Sequence, residues 1–402
     1  MRAGGVFGQQ TGSLPVGGPM EPWSAGFLDI HHISTGRGNS VLAIGPDGTS
    51  LMIDAGAAGG STEAMGPARP DESRRPGEWI GRYALSHLKT TPKQELDYFV
   101  LTHFHGDHMG DVSPASPRAR AGEYRLTGVT DVAELIPVRR LIDRDFPDYS
   151  YPAATTNEGA LNYFKFARYG AAHGTRVERV EVGSHSQIAL QHDAAKYPSF
   201  RVQNLAANGR VWTARGEEAA ATFPDLKTLK PSEFPTENAC SIALKVSFGA
   251  FSYYIGGDLT ADTRFGSVPW MDIESAVAKV AGPTSVSALD HHGYFDGTGR
   301  EFVRDMRSRV YVLQSWHASH PALSVLDELY SPVLSPGPHD VFSTGLVEAA
   351  HLADARLSDK MLSQHGHVVI RVAPDGSRFE VFVLDDTQED GAVVSRWGPY
   401  LS

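Results

Sequence analysis

Apolar and polar positions alternate with a period of two over residues 27–33, 39–44 and 51–54, so each stretch predicts a β-strand with one buried face. Pro46, Asp47, Gly48 and Thr49 have the chemistry of a tight turn and join the second and third strands into a hairpin. Helical spacing follows over 78–90, where Trp79, Ile80, Tyr83, Ala84, His87 and Leu88 recur on one side. A short apolar strand then covers 96–102. Further strands are predicted at 179–182, 201–205, 285–289 and 310–314. Two more hairpins are predicted, 241–248 with 251–255 around Gly249, and 367–372 with 379–384 around Pro374, Asp375 and Gly376. Helices are expected near 157–172, 272–281, 300–306 and 322–330. Strand-rich halves with interspersed helices imply an α/β protein of sheets covered by helices.

Two stretches stand outside this pattern. Residues 1–22 are rich in Gly and Pro and read as a loose leader. They lack a basic start followed by an apolar run of about 7–15 residues, so no secretory signal is visible. The compartment is left open, cytoplasmic or exported after removal of a signal. Residues 112–180 read as a helical, aromatic-rich insertion or cap, with Tyr124, Phe146, Tyr149, Tyr151, Tyr163, Phe164, Phe166 and Tyr169. Such rings either line a substrate pocket or form a small satellite core.

Composition narrows the function classes. The chain has 402 residues, and 36 Lys+Arg against 47 Asp+Glu leave a net charge of −11. That balance argues against a long nucleic acid partner, which clustered cations would have to grip. No apolar run is long enough to span a membrane. Cys240 is the one cysteine, which excludes an internal disulfide and a Cys-rich zinc cluster.

The strand at 96–102 runs into Leu-Thr-His-Phe-His-Gly-Asp-His-Met-Gly-Asp, residues 101–111. Alternate residues leaving a strand point the same way, so His103 and His105 can share one ion. Gly106 lets the chain turn, and Asp107 and His108 can then serve a second ion close by. Two cations about 3.5–4 Å apart lower the pKa of a shared water toward neutrality and generate a hydroxide nucleophile. Imidazole and carboxylate suit Zn, Mn and Fe alike.

This stretch resembles the signature of the metallo-β-lactamase superfamily, H-x-H-x-D-H after a strand. Leu51 to Gly56 is similar to its early strand ending in Asp-x-Gly, Tyr254 to Asp258 to its later strand ending in Gly-Asp, and Asp290 to Gly293 to its late His-Gly element. The resemblance spans roughly residues 27–300. It implies an αββα four-layer sandwich with the metals at one edge, and places 23–402 in a single domain of that kind. It also implies that Asp258 bridges two divalent ions, Zn in the first place with Mn or Fe as alternatives. His292 is the expected ligand of the second ion, and His291 is either a ligand or a donor to substrate oxygen. Asp54 is expected to orient a ligand histidine. Tyr294 and His320 are candidates for hydrogen bonding to substrate and for protonating a leaving group. Asp111 and Asp290 read as ordinary loop carboxylates. One family ligand has no counterpart, because 202–210 offers Asn204 and Asn208 but no histidine. Occupancy of both metal positions is therefore left open.

Similarity to the metallo-β-lactamase domain of DNA-uptake competence proteins, and to phosphorylcholine esterases, points to phosphodiesters. The acidic balance favours small ones. The alternative is hydrolysis of a lactone, ester, thioester or β-lactam amide at the same metals. A non-catalytic binding scaffold ranks behind both, since the ligand motif is intact. A redox role ranks behind as well, because His105 stands where diiron relatives carry Glu. Oligomeric state is not legible.

Overall fold

The computed structural model describes residues 16–60 and 63–402. In chain order its strands are β1 (Leu28–His32), β2 (Val41–Ile44), β3 (Ser50–Ile53), β4 (Leu96–Val100), β5 (Val138–Asp143), β6 (Arg176–Arg179), β7 (Phe200–Ala207), β8 (Arg210–Trp212) and β9 (Ala219–Ala221). They continue with β10 (Ala243–Phe248), β11 (Phe251–Ile255), β12 (Val286–Ala288), β13 (Val310–Leu313), β14 (Asp340–Ser343), β15 (His367–Val372), β16 (Arg378–Leu384) and β17 (Val393–Leu401). Nine strands form one mixed sheet, ordered β17-β16-β15-β1-β2-β3-β4-β5-β6, and eight form the other, ordered β14-β13-β12-β11-β10-β7-β8-β9.

The period-two pattern explains the layering. Leu28, Ile30, Val41, Ala43, Leu51 and Ile53 of the first sheet share one buried cluster with Leu244, Val246, Phe248, Tyr253 and Val312 of the second. The alternate positions face outward and collect helices. Leu42, Met52 and Phe99 pack with α1 (Pro76–His87), α3 (Val129–Leu135) and α4 (Glu158–Ala172). A four-residue turn of helix, α2 (Gly106–Met109), lies between the first two. On the other side Tyr254, Tyr311 and Leu313 pack with α5 (Ile273–Ala281), α6 (Arg300–Met306) and α7 (Leu323–Leu329). Helices thus cover the outer faces of two sheets that share an apolar interior, as the sequence pattern predicts.

Three expectations need correction. Residues 112–180 are not an appendage: β5 and β6 lie within them and extend the first sheet in parallel from β4. The strand expected at 179–182 is β6, which ends at Arg179. Of the leader, residues 1–15 lie outside the described residues. The Gly17 N–H donates to the Val393 carbonyl (2.9 Å) and Pro19 bridges to Ala392, so this part of the leader is fastened to the edge strand.

Candidate metal centre

Every candidate ligand leaves the carboxyl end of a strand. β3 runs into Asp54, β4 into 102–108, β11 into Asp258, and β12 into His291 and His292. Loops at such ends are free of the strand ladder, which makes them the usual place for ligand-binding groups in α/β sheets. The two sheets bring these ends together at one edge.

The turn carrying the motif is set by close backbone contacts. His105, in the β region, precedes α2. Gly106 does not supply positive φ. A Cβ there would lie 2.2 Å from the Asp111 carboxylate, which accepts the Gly59 N–H at 2.9 Å. Asp111 therefore buttresses the turn. Gly38 and Gly56 pass so near Asp107 that a Cβ would stand 2.1 and 2.0 Å from its carbonyl oxygen.

The side chains fall into two groups that share Asp258. Asp107, His108, Asp258 and His292 form one, and His103, His105 and Asp258 the other, with ligand atoms in each group within 4.8 Å of one another. Asp258 Oδ1 faces His108 Nε2 (3.0 Å) and His292 Nε2 (3.6 Å). Its Oδ2 faces His103 Nε2 (3.5 Å) and His291 Nε2 (3.7 Å). His103 Nε2 and His105 Nδ1 are 3.2 Å apart, and His292 Nε2 lies 2.9 Å from Asp107 Oδ2. His292 therefore belongs to the Asp107 side. His291 Nε2 is turned toward the His103 side, but Asn238 Nδ2 stands nearer to it (3.1 Å) than Asp258 does, and His291 falls outside both ligand groups. Asn204 is bound to the Glu181 carbonyl and Gln187, and Asn208 to Arg144, so neither reaches the centre.

Partners behind the rings aim them. Asp54 adopts φ 60°, and its carboxylate accepts the Thr102 N–H and hydroxyl (2.8 Å each) and lies 2.7 Å from His108 Nδ1. Holding Nδ1–H on a carboxylate leaves the Nε2 lone pair for the site. His292 donates Nδ1–H to the Gln314 carbonyl (3.0 Å) with the same result. His291 rests on Asp296 (2.5 Å). His291 and His292 both have positive φ, 47° and 53°, a strained conformation for residues with a Cβ and one that is found mainly where function requires it.

Two groups with no site signal in the sequence hold this loop. Asp290, expected to be an ordinary loop carboxylate, is fully buried and accepts the Tyr254 hydroxyl (2.9 Å). Glu274 accepts the N–H groups of Thr298 and Gly299. Burial pushes both carboxyls up, Glu274 to about 8. Thr102 and Asp296 carry no signal in the sequence either, because their positions here depend on contacts across space.

The electrostatics fit a cation. Burial alone would push Asp258 up, but His108 and then His292, His291 and His103 hold it well below the usual carboxylate range. Burial opposes charge on His108, yet Asp258, Asp54 and Asp107 together raise it. His103 is lowered by burial and then by His108. Asp258 Oδ1 is buried and makes no well-formed hydrogen bond although His108 Nε2 stands 3.0 Å away, a costly state that a coordinated cation would relieve. His320 stacks on His292 (4.9 Å) and is buried, and Tyr294 lies edge-on to His291 (5.1 Å). Both flank the centre and neither belongs to a ligand group. A larger cavity of about 410 Å³ lies beyond Trp316, and no candidate ligand lines it.

Among the described residues, no helix is long and apolar enough to cross a membrane. No family model and no curated protein matches the chain. Among solved structures it is similar to one described as a new diphosphatase from the PhnP family, at 12% identity and a TM-score of 0.37, over 86% of this chain and 97% of that one.

Proposed function

We propose that this protein is a metal-dependent hydrolase whose substrates are small phosphodiesters, with His103, His105, Asp107, His108, Asp258, His291 and His292 holding two divalent cations. The observation that carries the reading is Asp258, which turns one buried carboxylate oxygen to each of two imidazole groups. Cations held there would acidify a water and offset charge on phosphoryl oxygens. The chain's own contribution is positional. Asp54 and the Gln314 carbonyl fix the tautomers of His108 and His292. The glycines beside Asp107 bring the ligand turn against its neighbours. Tyr294, half-buried beside His291, can hydrogen-bond a phosphoryl or leaving-group oxygen, whereas His320 is buried against His292 and burial holds its pKa well below the ordinary value, which does not suit the leaving-group acid expected of it. Zn is the first expected metal, with Mn and Fe as alternatives.

The aromatic wall beside His105 also suits a carboxylic ester or lactone, the second reading. Turnover of bis(p-nitrophenyl) phosphate and p-nitrophenyl acetate, measured side by side with Zn and Mn, separates the two. The first reading expects the diester to be the better substrate, with Asp107→Ala and His108→Ala each abolishing its turnover while the circular dichroism spectrum is retained. Diester turnover at wild-type rate in either variant would rule the reading out.

A further inference from the structure

Three rings of residues 112–180, Tyr149, Tyr151 and Phe164, meet Phe104 on one flank of the centre. A cavity of about 120 Å³ opens there, with His105 in its wall beside Phe104, Tyr149, Tyr151 and Phe164. Phe104 stands edge-on to Tyr149 (5.7 Å) and Phe164 (5.0 Å), which stack on each other at 3.9 Å. Buried and interlocked, these three rings form a fixed wall. The Tyr149 hydroxyl is spent on Asp143 (2.8 Å).

The cavity wall also holds three ionised groups, and each is consumed by the protein itself. Arg144 gives Nε–H and Nη2–H to Glu237 (2.8 and 2.6 Å) and Nη1–H to the Tyr151 carbonyl and Asn208 (3.0 and 2.9 Å). Glu237 also accepts the Phe104 N–H (2.8 Å). Asp145 accepts the Ser150 and Tyr151 N–H groups (2.7 and 3.0 Å) and faces Arg179 at 3.4 Å. No spare cation is left for an anion, and no spare carboxylate for an ammonium group. The Tyr151 hydroxyl is pushed up to about 12 by burial and then by Cys240, so this ring stays neutral. The space left is about 120 Å³, walled on one side by the Phe104, Tyr149 and Phe164 rings and on the other by Arg144, Asp145 and Glu237, whose charges are paired within the protein.

Resting on the hydrolase reading, we propose that this cavity binds an uncharged aromatic or heteroaromatic ring carried by the phosphoester substrate, seated against Tyr151 while the phosphoryl group lies at the metal centre. His105, shared by cavity and ligand group, makes the two subsites contiguous.

Two measurements test this separately from the hydrolase reading. The first is calorimetric binding of phenylphosphonate and ethylphosphonate to the Mn-loaded protein. Ring–ring contacts predict about 10-fold tighter binding of the phenyl compound, and a preference of about 3-fold or less once Ala153→Phe fills the cavity from its exposed rim or Tyr151→Ala removes the half-buried ring. The second is hydrolysis of phenyl and ethyl p-nitrophenyl phosphate, which share a leaving group, with kcat/KM corrected for the uncatalysed rates. The aryl-to-ethyl ratio should collapse in the same two variants. A phenyl preference in binding with neither diester hydrolysed would defeat the hydrolase reading and leave the ring site standing. Equal binding of the two phosphonates, or a preference untouched by both variants, would overturn the ring site whatever the turnover.

Discussion

Asp54 shows how a single backbone conformation reaches the chemistry. At φ 60° its carboxylate is swung back beneath the motif, where it ties Thr102 to His108. A partner of this kind fixes the ring and raises its basicity, and its loss typically costs about 10–100-fold in metal affinity. Asp54→Ala should therefore weaken metal binding by about that factor in chelator competition and, by leaving the buried Thr102 N–H without its acceptor, also lower the melting temperature of the metal-free protein; unaltered affinity would mean that the contact orients nothing. Legibility at this scale follows sequence distance. His103, His105, Asp107 and His108 are readable because one turn carries them all. Asp258 and His292 are readable because short motifs mark them. Asp296 and Thr102 act through contacts that no spacing announces. The missing third imidazole is a case in between. The sequence leaves His291 open between roles, and the coordinates turn it toward Asp258 Oδ2, the oxygen that His103 also faces.

The element that carries His291 and His292 is not held by hydrophobic packing alone. Glu274, on the first turn of α5, accepts two backbone N–H groups of the 290–299 loop. Removing one buried partner leaves the others unsatisfied, at about 1–3 kcal/mol each. Glu274→Ala should accordingly lower unfolding stability by about 2–5 kcal/mol in urea titration, and a midpoint equal to wild type would contradict this account of the loop. The elements that the sequence pattern misses share a physical reason. β5 begins with half-buried Val138, exposed Arg139 and half-buried Arg140, so its first half shows no apolar face. β17 contains Gly398 and Pro399, which normally break a strand, but it lies at the sheet edge, where a proline need not donate to a ladder. β14 has four residues, all buried, too few to show a period.

Across the whole molecule, the two sheets that place the candidate ligands also bury histidines outside both candidate groups. His31 packs against Tyr83 and His87, and His367 against Tyr83, with Arg371 nearby; His32 faces the interior beside Tyr253. Burial lowers all four, His32 to about 4, His87 and His367 to about 3, and His31 well below its ordinary value. The unfolded chain then binds more protons than the folded one below about pH 6.5, so stability is full above that value and falls as the pH drops toward 4. Thermal melting from pH 7 to pH 4 should show this loss, with a shallower slope in His87→Gln; identical slopes in the two proteins would remove these histidines from the explanation. The sandwich itself was legible because period-two strands and helical faces alternate along most of the chain. The central claim is that side chains from both sheets meet on shared cations. Elemental analysis of the protein equilibrated with Zn and then desalted tests it most directly. Two ions per chain, reduced in Asp258→Ala, is the predicted result, and a wild-type protein that retains none would contradict it.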